Sequence, residues 1–245
     1  MPTFFVASDA VSPPVVRIEG PLLKHLRDSL RLQPGEMLVL TDNQGRRHRT
    51  TITKVVAQRL ECHIVETIHA PPRKSPSLIL VQALLKGEKM DWVIQKATEL
   101  GVDHIVPVQT KNAVVKIHPD RVEHQRARWG RIALEAAQQS ERWTIPTIAE
   151  PSDLSKATVA YQSAAKFILA ERSTEMSLTA APLPTEADQT IVLAIGPEGG
   201  WDEDELRLMQ EWAYRPLTLG SRILRAETAA LVALSIVQSR LGELG

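Results

Sequence analysis

Residues 191–201 read IVLAIGPEGGW and residues 216–238 read PLTLGSRILRAETAALVALSIVQ, with an acidic, helix-like segment between them. Each stretch opens as an apolar strand, breaks at a glycine-bearing turn and continues into a helix. Bare backbone at the carboxyl ends of buried strands is where an α/β sheet admits a ligand. Gly196, Gly199 and Gly200 make the first turn, Gly220 makes the second, and Pro197 stiffens the loop. Two such turns can wall a single pocket. The sequence lacks G-x-x-x-x-G-K-[ST], and Glu198 at the centre of the first turn would repel a polyphosphate, so a neutral or cationic ligand is expected.

Outward from this stretch, the chain divides by pattern. Up to residue 69 short β-rich runs dominate (Phe4–Val6, Val15–Ile18, Met37–Thr41, His48–Val56, Leu60–Ile68), broken by Pro34–Gly35 and by the turn Asp42–Gly45. One helix interrupts them, with Pro21 near its start and Leu22, Leu23, Leu26 and Leu30 at helical spacing. Arg27 and Arg31 fall on or beside its wet face. The proline-rich segment APPRKSP at 70–76 then marks a domain boundary, giving 1–72 and 73–245 as two folded units. Beyond it, Leu78–Leu85 is the continuous apolar run of a parallel strand covered on both faces. Met90, Val93, Ile94, Ala97 and Leu100 form a helical stripe closed by Gly101, His104–Val108 is the next strand, and Arg121–Gln139 is a long helix with Trp129, Ile132, Ala133 and Ala136 inward. Phe167–Ala170 is a short strand ending at Glu171 and Arg172. Asp202 and Glu205 form an acidic capping box, so these carboxylates need no catalytic explanation. The last helix, Ala226–Leu241, is apolar on most sides and must be covered by a core or by another subunit, with Ala233 as an expected interface position.

The 245-residue chain has zero formal net charge, unevenly spread. Residues 1–72 carry nine Lys/Arg against seven Asp/Glu, and all nine bases lie between Arg17 and Arg59. A local basic face can serve RNA on a neutral protein, and a solvated surface accounts for it equally well. Cys62 is the single cysteine, which excludes an internal disulfide and a thiolate cluster, and the seven histidines form no ligand pair, so no metal is expected. With no signal-type amino end and no apolar run of spanning length, a cytoplasmic protein is expected.

The late motifs, IGPEGGW and LGSRILRAETA, resemble the carboxyl-terminal signature of the RsmE family. LLKGEKMDWVIQKATELGV, EAAQQSERWTIP and the early HLRDSLRLQPGEML resemble its other segments in order. One departure is Glu141, where the family more often has glycine. The resemblance implies an α/β fold of SPOUT type, a parallel sheet with a C-terminal trefoil knot, plus a small N-terminal PUA-like β-barrel that binds RNA. It implies transfer of a methyl group from S-adenosylmethionine to N3 of a uridine in small-subunit (16S) ribosomal RNA, by a homodimer joined through the C-terminal helix.

Carried onto this chain, the resemblance places the S-adenosylmethionine cradle at Gly196, Pro197, Glu198, Gly199 and Gly200 and at Leu219, Gly220, Arg222, Ile223 and Leu224, with Leu169 and Ala229 beside them. Gly199 is expected at a positive φ. RNA contacts fall to Arg27, Arg31, Gln138, Gln139 and Arg142. Uracil N3 carries a proton, so a base or a cationic donor must favour its anion. Glu171 and Glu198 are candidate bases, and Arg172, Arg222 and Arg225 candidate stabilisers, without a ranking; Arg225 with Glu227 serves equally well as a structural pair. Two rival readings are a non-catalytic RNA-binding assembly factor of the same fold and a small-molecule α/β enzyme.

Overall fold

A computed structural model describes residues 3–116, 118–159, 161–170 and 176–244. The chain forms two compact units, one of residues 1–72 with 137–145 and one of residues 73–136 with 146–245.

The first unit is a six-stranded sheet of β1 (Thr3–Phe5), β2 (Val11–Ser12), β3 (Val15–Ile18), β4 (Met37–Thr41), β5 (Arg46–Val55) and β6 (Leu60–His69), in the order β1-β4-β5-β6-β3-β2. Only the β1–β4 pair is parallel among these. Alternate residues Leu38, Leu40, Ile52, Leu60, Cys62, Val16 and Ile18 fill its core, as period-two patterning requires. Burial pushes the Cys62 thiol up to about 11, so it is packed as a small apolar side chain. Helix α1 (Gly20–Lys24) runs into a π-helical turn, His25–Ser29. Leu23 and Leu26 are buried, whereas Leu30, expected in the same stripe, is exposed. The wide turn, closed by the Leu30 N–H on the His25 carbonyl, carries Leu30 out of the α-helical register.

Residues 137–145 complete this unit against the turn between β4 and β5. The Ile145 N–H donates to Asn43 Oδ1 at 2.7 Å, Arg47 lies 3.8 Å above the Trp143 ring, and an Arg47 N–H donates to the Glu141 carbonyl. Glu141 has φ 51, a left-handed conformation that explains why glycine suits the position. The turn itself is set by buried Asp42, which accepts from the Gln44 and Arg46 N–H groups and from Arg46 Nε.

The second unit holds β7 (Ser77–Ala83), α2 (Lys89–Glu99), β8 (His104–Gln109), α3 (Val122–Gln139, of which residues from Ala137 on belong to the first unit), β9 (Thr147–Ile148), β10 (Ser152–Asp153), α4 (Leu154–Val159), β11 (Ala165–Leu169), β12 (Thr190–Ile195), α5 (Glu203–Glu211), β13 (Arg215–Leu217) and α6 (Ala226–Arg240). Its sheet runs β10-β8-β7-β12-β11-β13, with β9 also on β8, and each of these pairings is parallel. β12 therefore enters between β7 and β11, placing the IVLAIG run at the sheet centre, buried along its length from Ile191 to Ile195.

One face of the sheet (Ile79, Val81, Val106, Ile168, Val192, Ala194) packs with Leu154 and Ala157 of α4, Met209 of α5 and Tyr214. On the opposite side α6 packs against β12 and against α2. Gln238 fixes that docking: its Nε2 donates to the Leu100 carbonyl at 2.6 Å, and a Cβ on Gly101 (φ 85) would fall 2.4 Å from the same nitrogen. Ala233, expected at a subunit interface, is fully buried within its own unit. The partly exposed residues of α6 include the large apolar side chains Leu231, Val232 and Ile236. No helix among the described residues is long and apolar enough to cross a membrane.

Candidate functional site

A cavity of about 660 Å³ opens at the carboxyl ends of β11, β12 and β13. Leu169 supplies one wall, Gly196, Pro197, Gly199 and Gly200 the turn after β12, and Leu219, Gly220, Arg222 and Leu224 the turn after β13, with Ala229 of α6 closing it. These sequence-derived candidates converge from three segments far apart in the chain. Glu203 and Arg222, both exposed, put one charge of each sign on the lining.

The glycines are held closely. A Cβ on Gly196 would meet the Trp201 indole at 3.1 Å, and that indole donates from Nε1 to the Leu169 carbonyl at 3.0 Å, tying the ends of β11 and β12 together. A Cβ on Gly199 would lie 3.0 Å from both the Cβ and the carbonyl oxygen of Asn112. The positive φ expected at Gly199 belongs instead to Gly200 (φ 72), whose carbonyl accepts from Asn112 Nδ2. What constrains Gly199 is contact with a neighbour.

Two predicted lining residues do not line the cavity. Ile223 is 64% exposed. Glu198 turns toward α2, where Oε1 accepts the Lys86 N–H and the Lys89 ammonium, each at 3.2 Å. Burial alone pushes the Glu198 carboxyl up, but these donors and its own backbone N–H outweigh burial and leave it below the ordinary range. A carboxylate so held is a weak base, which argues against Glu198 as the group that removes a uracil proton. Lys89 also stands 3.5 Å from Glu227 at the start of α6, so Glu227 pairs with Lys89. Arg225 is the exposed residue preceding α6, with its carbonyl accepting the Ala229 N–H, and it is absent from the lining. Glu171 and Arg172 lie outside the described residues.

The acidic start of α5 has the structural role its spacing implies. Asp202 accepts the Asp204 N–H, and Glu205 accepts the Asp202 N–H. Beyond that pattern, buried Glu205 also accepts the Lys111 N–H at 2.8 Å, while Lys111 Nζ reaches Asp202 and Asp204 at 2.6 Å each. Lys111 and Asn112 thus brace the glycine turn from the segment after β8. Their side chains are ordinary polar loop residues in the sequence, and a pairing across some 90 positions leaves no local signal.

The RNA-side candidates Arg27, Arg31, Gln138, Gln139 and Arg142 all fall in the first unit. Arg27 is committed, forking onto Asp28 and donating to the Ala57 carbonyl at 2.5 Å. Arg31 is exposed, with φ 55, just past the π turn. In the second unit, Arg126 pairs with Glu123 and Arg128 with Asp91.

A parallel sheet with its pocket built from glycine turns at the last strand ends is matched by a family model: residues 73–238 fit the RNA methyltransferase domain, and the chain belongs to that family of RNA methyltransferases. The similarity extends beyond the domain. The chain is 30% identical over 234 residues to the ribosomal RNA small subunit methyltransferase E of Bacillus subtilis, covering 91% of this chain and 90% of that protein. It is 31% identical over 238 residues to the Synechocystis protein of the same name, covering 96% and 77%. The crystal structure of the Neisseria gonorrhoeae ribosomal RNA small subunit methyltransferase E, bound to S-adenosyl methionine, superposes with a TM-score of 0.88 at 30% identity and covers 98% of each chain.

Proposed function

We propose that the protein transfers a methyl group from S-adenosylmethionine to N3 of one uridine in small-subunit ribosomal RNA, as a cytoplasmic homodimer. The observation that carries this is the cavity of about 660 Å³ walled by two glycine turns, in a chain of this family. Its volume falls within the range of small-molecule sites. Gly196 and Gly199, where an added Cβ would meet Trp201 or Asn112, leave that part of the lining as bare backbone, and Glu203 with Arg222 suits a ligand bearing both charges. S-adenosylmethionine, when bound, supplies an electrophilic methyl carbon on a sulfonium.

The protein's part is to position the uracil, exclude water and favour the N3 anion. Arg222 is the candidate cation on the lining. Leu169, Leu217 and Leu224 give apolar walls that limit solvent. The insertion of β12 between β7 and β11, with α6 returning onto α2, supports a trefoil-knotted SPOUT domain. The mostly antiparallel sheet of residues 3–69 supports a PUA-like barrel, to which Arg31 and the segment 138–142 would bring RNA. The half-buried Leu231, Val232 and Ile236 support dimerisation through α6. Mass spectrometry of small-subunit ribosomal RNA from a strain lacking the gene tests the reading: one 3-methyluridine should vanish, and an unchanged nucleoside profile would refute it.

A further inference from the structure

Arg222 and Leu224 line the cavity, and the residue between them does not. Ile223 is 64% exposed, and among the described residues it is the one exposed large apolar side chain whose two chain neighbours both line that cavity. It therefore stands on the rim, one Cα step, about 4 Å, from the lining on either side. A lone isoleucine elsewhere on a surface needs no explanation. This one stands where a substrate of the cavity must enter.

Its mount is stiff. Thr218 Oγ1 accepts the Gly220 N–H and donates to the Gly220 carbonyl, each at 3.1 Å, while the Thr218 backbone bonds Met176 and Leu178 at 2.9 Å. After Leu224 the Arg225 carbonyl accepts the Ala229 N–H at 2.8 Å, where α6 begins. The rim segment is thus short and held at both ends. A β-branched side chain has few rotamers to lose, so ordering Ile223 against a ligand costs little. Arg222 and Arg225 are both exposed, and neither forms an ion pair among the described residues. Two positive charges beside an apolar tip complement a polyanion with stacked apolar faces, which RNA is, better than an uncharged protein surface.

Resting on the methyltransferase reading above, we infer that Ile223 is the wedge that enters the ribosomal RNA stack as the target uridine leaves it. N3 lies on the pairing edge of uracil, and a methyl donor held in the cavity reaches it only once the base has left the stack. Proteins part stacked bases with apolar side chains, isoleucine among them. A wedge also fills the gap, so the base does not fall back. Ile223 does this from the rim while the uracil turns toward the cavity that its neighbours line. It is a positioning residue, acting on the chemistry by holding the extruded base within reach of the methyl carbon.

The test uses the full chain with S-adenosylmethionine and small-subunit ribosomal RNA, both free and in the assembled subunit. Ile223→Ala should lower kcat/KM for RNA about ten- to a hundredfold, with the calorimetric affinity for S-adenosylmethionine and the light-scattering mass unchanged, and Ile223→Met should recover most of the loss. Location is read by crosslinking. In protein saturated with S-adenosylhomocysteine, Ile223→p-benzoylphenylalanine should join, on irradiation, a nucleotide next to the methylated uridine, mapped by arrest of primer extension. Crosslinks to a second copy of the chain, to distant RNA or to no RNA would overturn the wedge and leave the methyltransferase reading intact. Wild-type turnover in Ile223→Ala, or a loss of cofactor affinity equal to its loss of turnover, would do the same. A wild-type protein that methylates no ribosomal RNA would overturn both.

Discussion

Lys89 Nζ stands 3.2 Å from Glu198 Oε1 while also facing Glu227 at 3.5 Å, so one ammonium on α2 joins the first glycine turn to the helix that follows the second. Its side chain is 35% exposed, and the pair's value to global stability is correspondingly modest. Its value to the site is larger, because it ties the first glycine turn to the start of α6, and both of these border the cavity. Lys89→Met should weaken S-adenosylmethionine binding about three- to tenfold with little change in melting temperature, and Lys89→Arg should restore most of the affinity. Equal affinity in all three proteins by calorimetry would remove Lys89 from this role.

Gly199 tests the same cradle by sterics. Valine there would drive its Cβ against Asn112, whose backbone carbonyl cannot swing aside as a flexible side-chain end could. Gly199→Val should cost at least tenfold in cofactor affinity while the circular dichroism spectrum is retained. Gly200→Ala acts differently, through a φ of 72, and should cost about 1 kcal/mol in stability.

Arg31 and Arg27 are not equivalent. Arg27 is held by Asp28 and the Ala57 carbonyl, whereas Arg31 is exposed at the end of the π turn. Arg31→Gln should lower the magnitude of the log–log salt slope of RNA binding by about one, as expected for one lost phosphate contact, and Arg27→Gln should change it less. Filter binding across salt concentrations decides; identical slopes in wild type and Arg31→Gln would place the phosphate contacts elsewhere.

Dimerisation should be probed at Ile236 rather than Ala233. A carboxylate at fully buried Ala233 would unfold the subunit, so loss of dimer there would be uninformative. Ile236→Asp, on the partly exposed side of α6, should give folded monomers by light scattering together with reduced methyl transfer. A dimer that survives Ile236→Asp rules out this surface.

His48 sets an acid limit for the first unit. It is 2% exposed, and burial holds its imidazole below the ordinary value of 6.5 despite the nearby Asp42 carboxylate. A depressed folded value means that the neutral ring's contribution is complete above pH 6.5 and is lost as pH falls toward the folded value, because only the unfolded chain takes up the proton. His48→Gln should flatten the decline in melting temperature below that pH. A parallel decline in both proteins would assign the acid sensitivity to other groups.

Much of this was legible from local pattern. The apolar runs at 78–85 and 191–195 mark central parallel strands, the Asp202/Glu205 spacing marks the start of α5, and Gly101 marks the end of α2, because each depends on neighbours a few residues away. The gathering of both glycine turns around one cavity followed from their place at strand ends. What the residues did not disclose is set by distant partners or by small shifts of register. The π turn that expels Leu30 adds one residue to a turn; the direction of Glu198 depends on Lys86 and Lys89, over 100 positions earlier; Lys111 and Asn112 brace a turn they do not adjoin. The short elements β9, β10 and α4 contain too few residues to establish a period.

The strip 137–145 that docks against Asn43 and Arg47 has an implication for descent. The first unit is encoded in two separated pieces of the gene, so no single crossover can transplant it intact without carrying residues 73–136 of the second unit along with it. A recombinant cut at the proline-rich boundary inherits a sheet whose β4–β5 turn has lost the indole that Arg47 covers. Changes in Asn43 or Arg47 and in Trp143 are therefore expected to be retained or discarded together over generations, and the two units to share one lineage rather than assort as exchangeable modules.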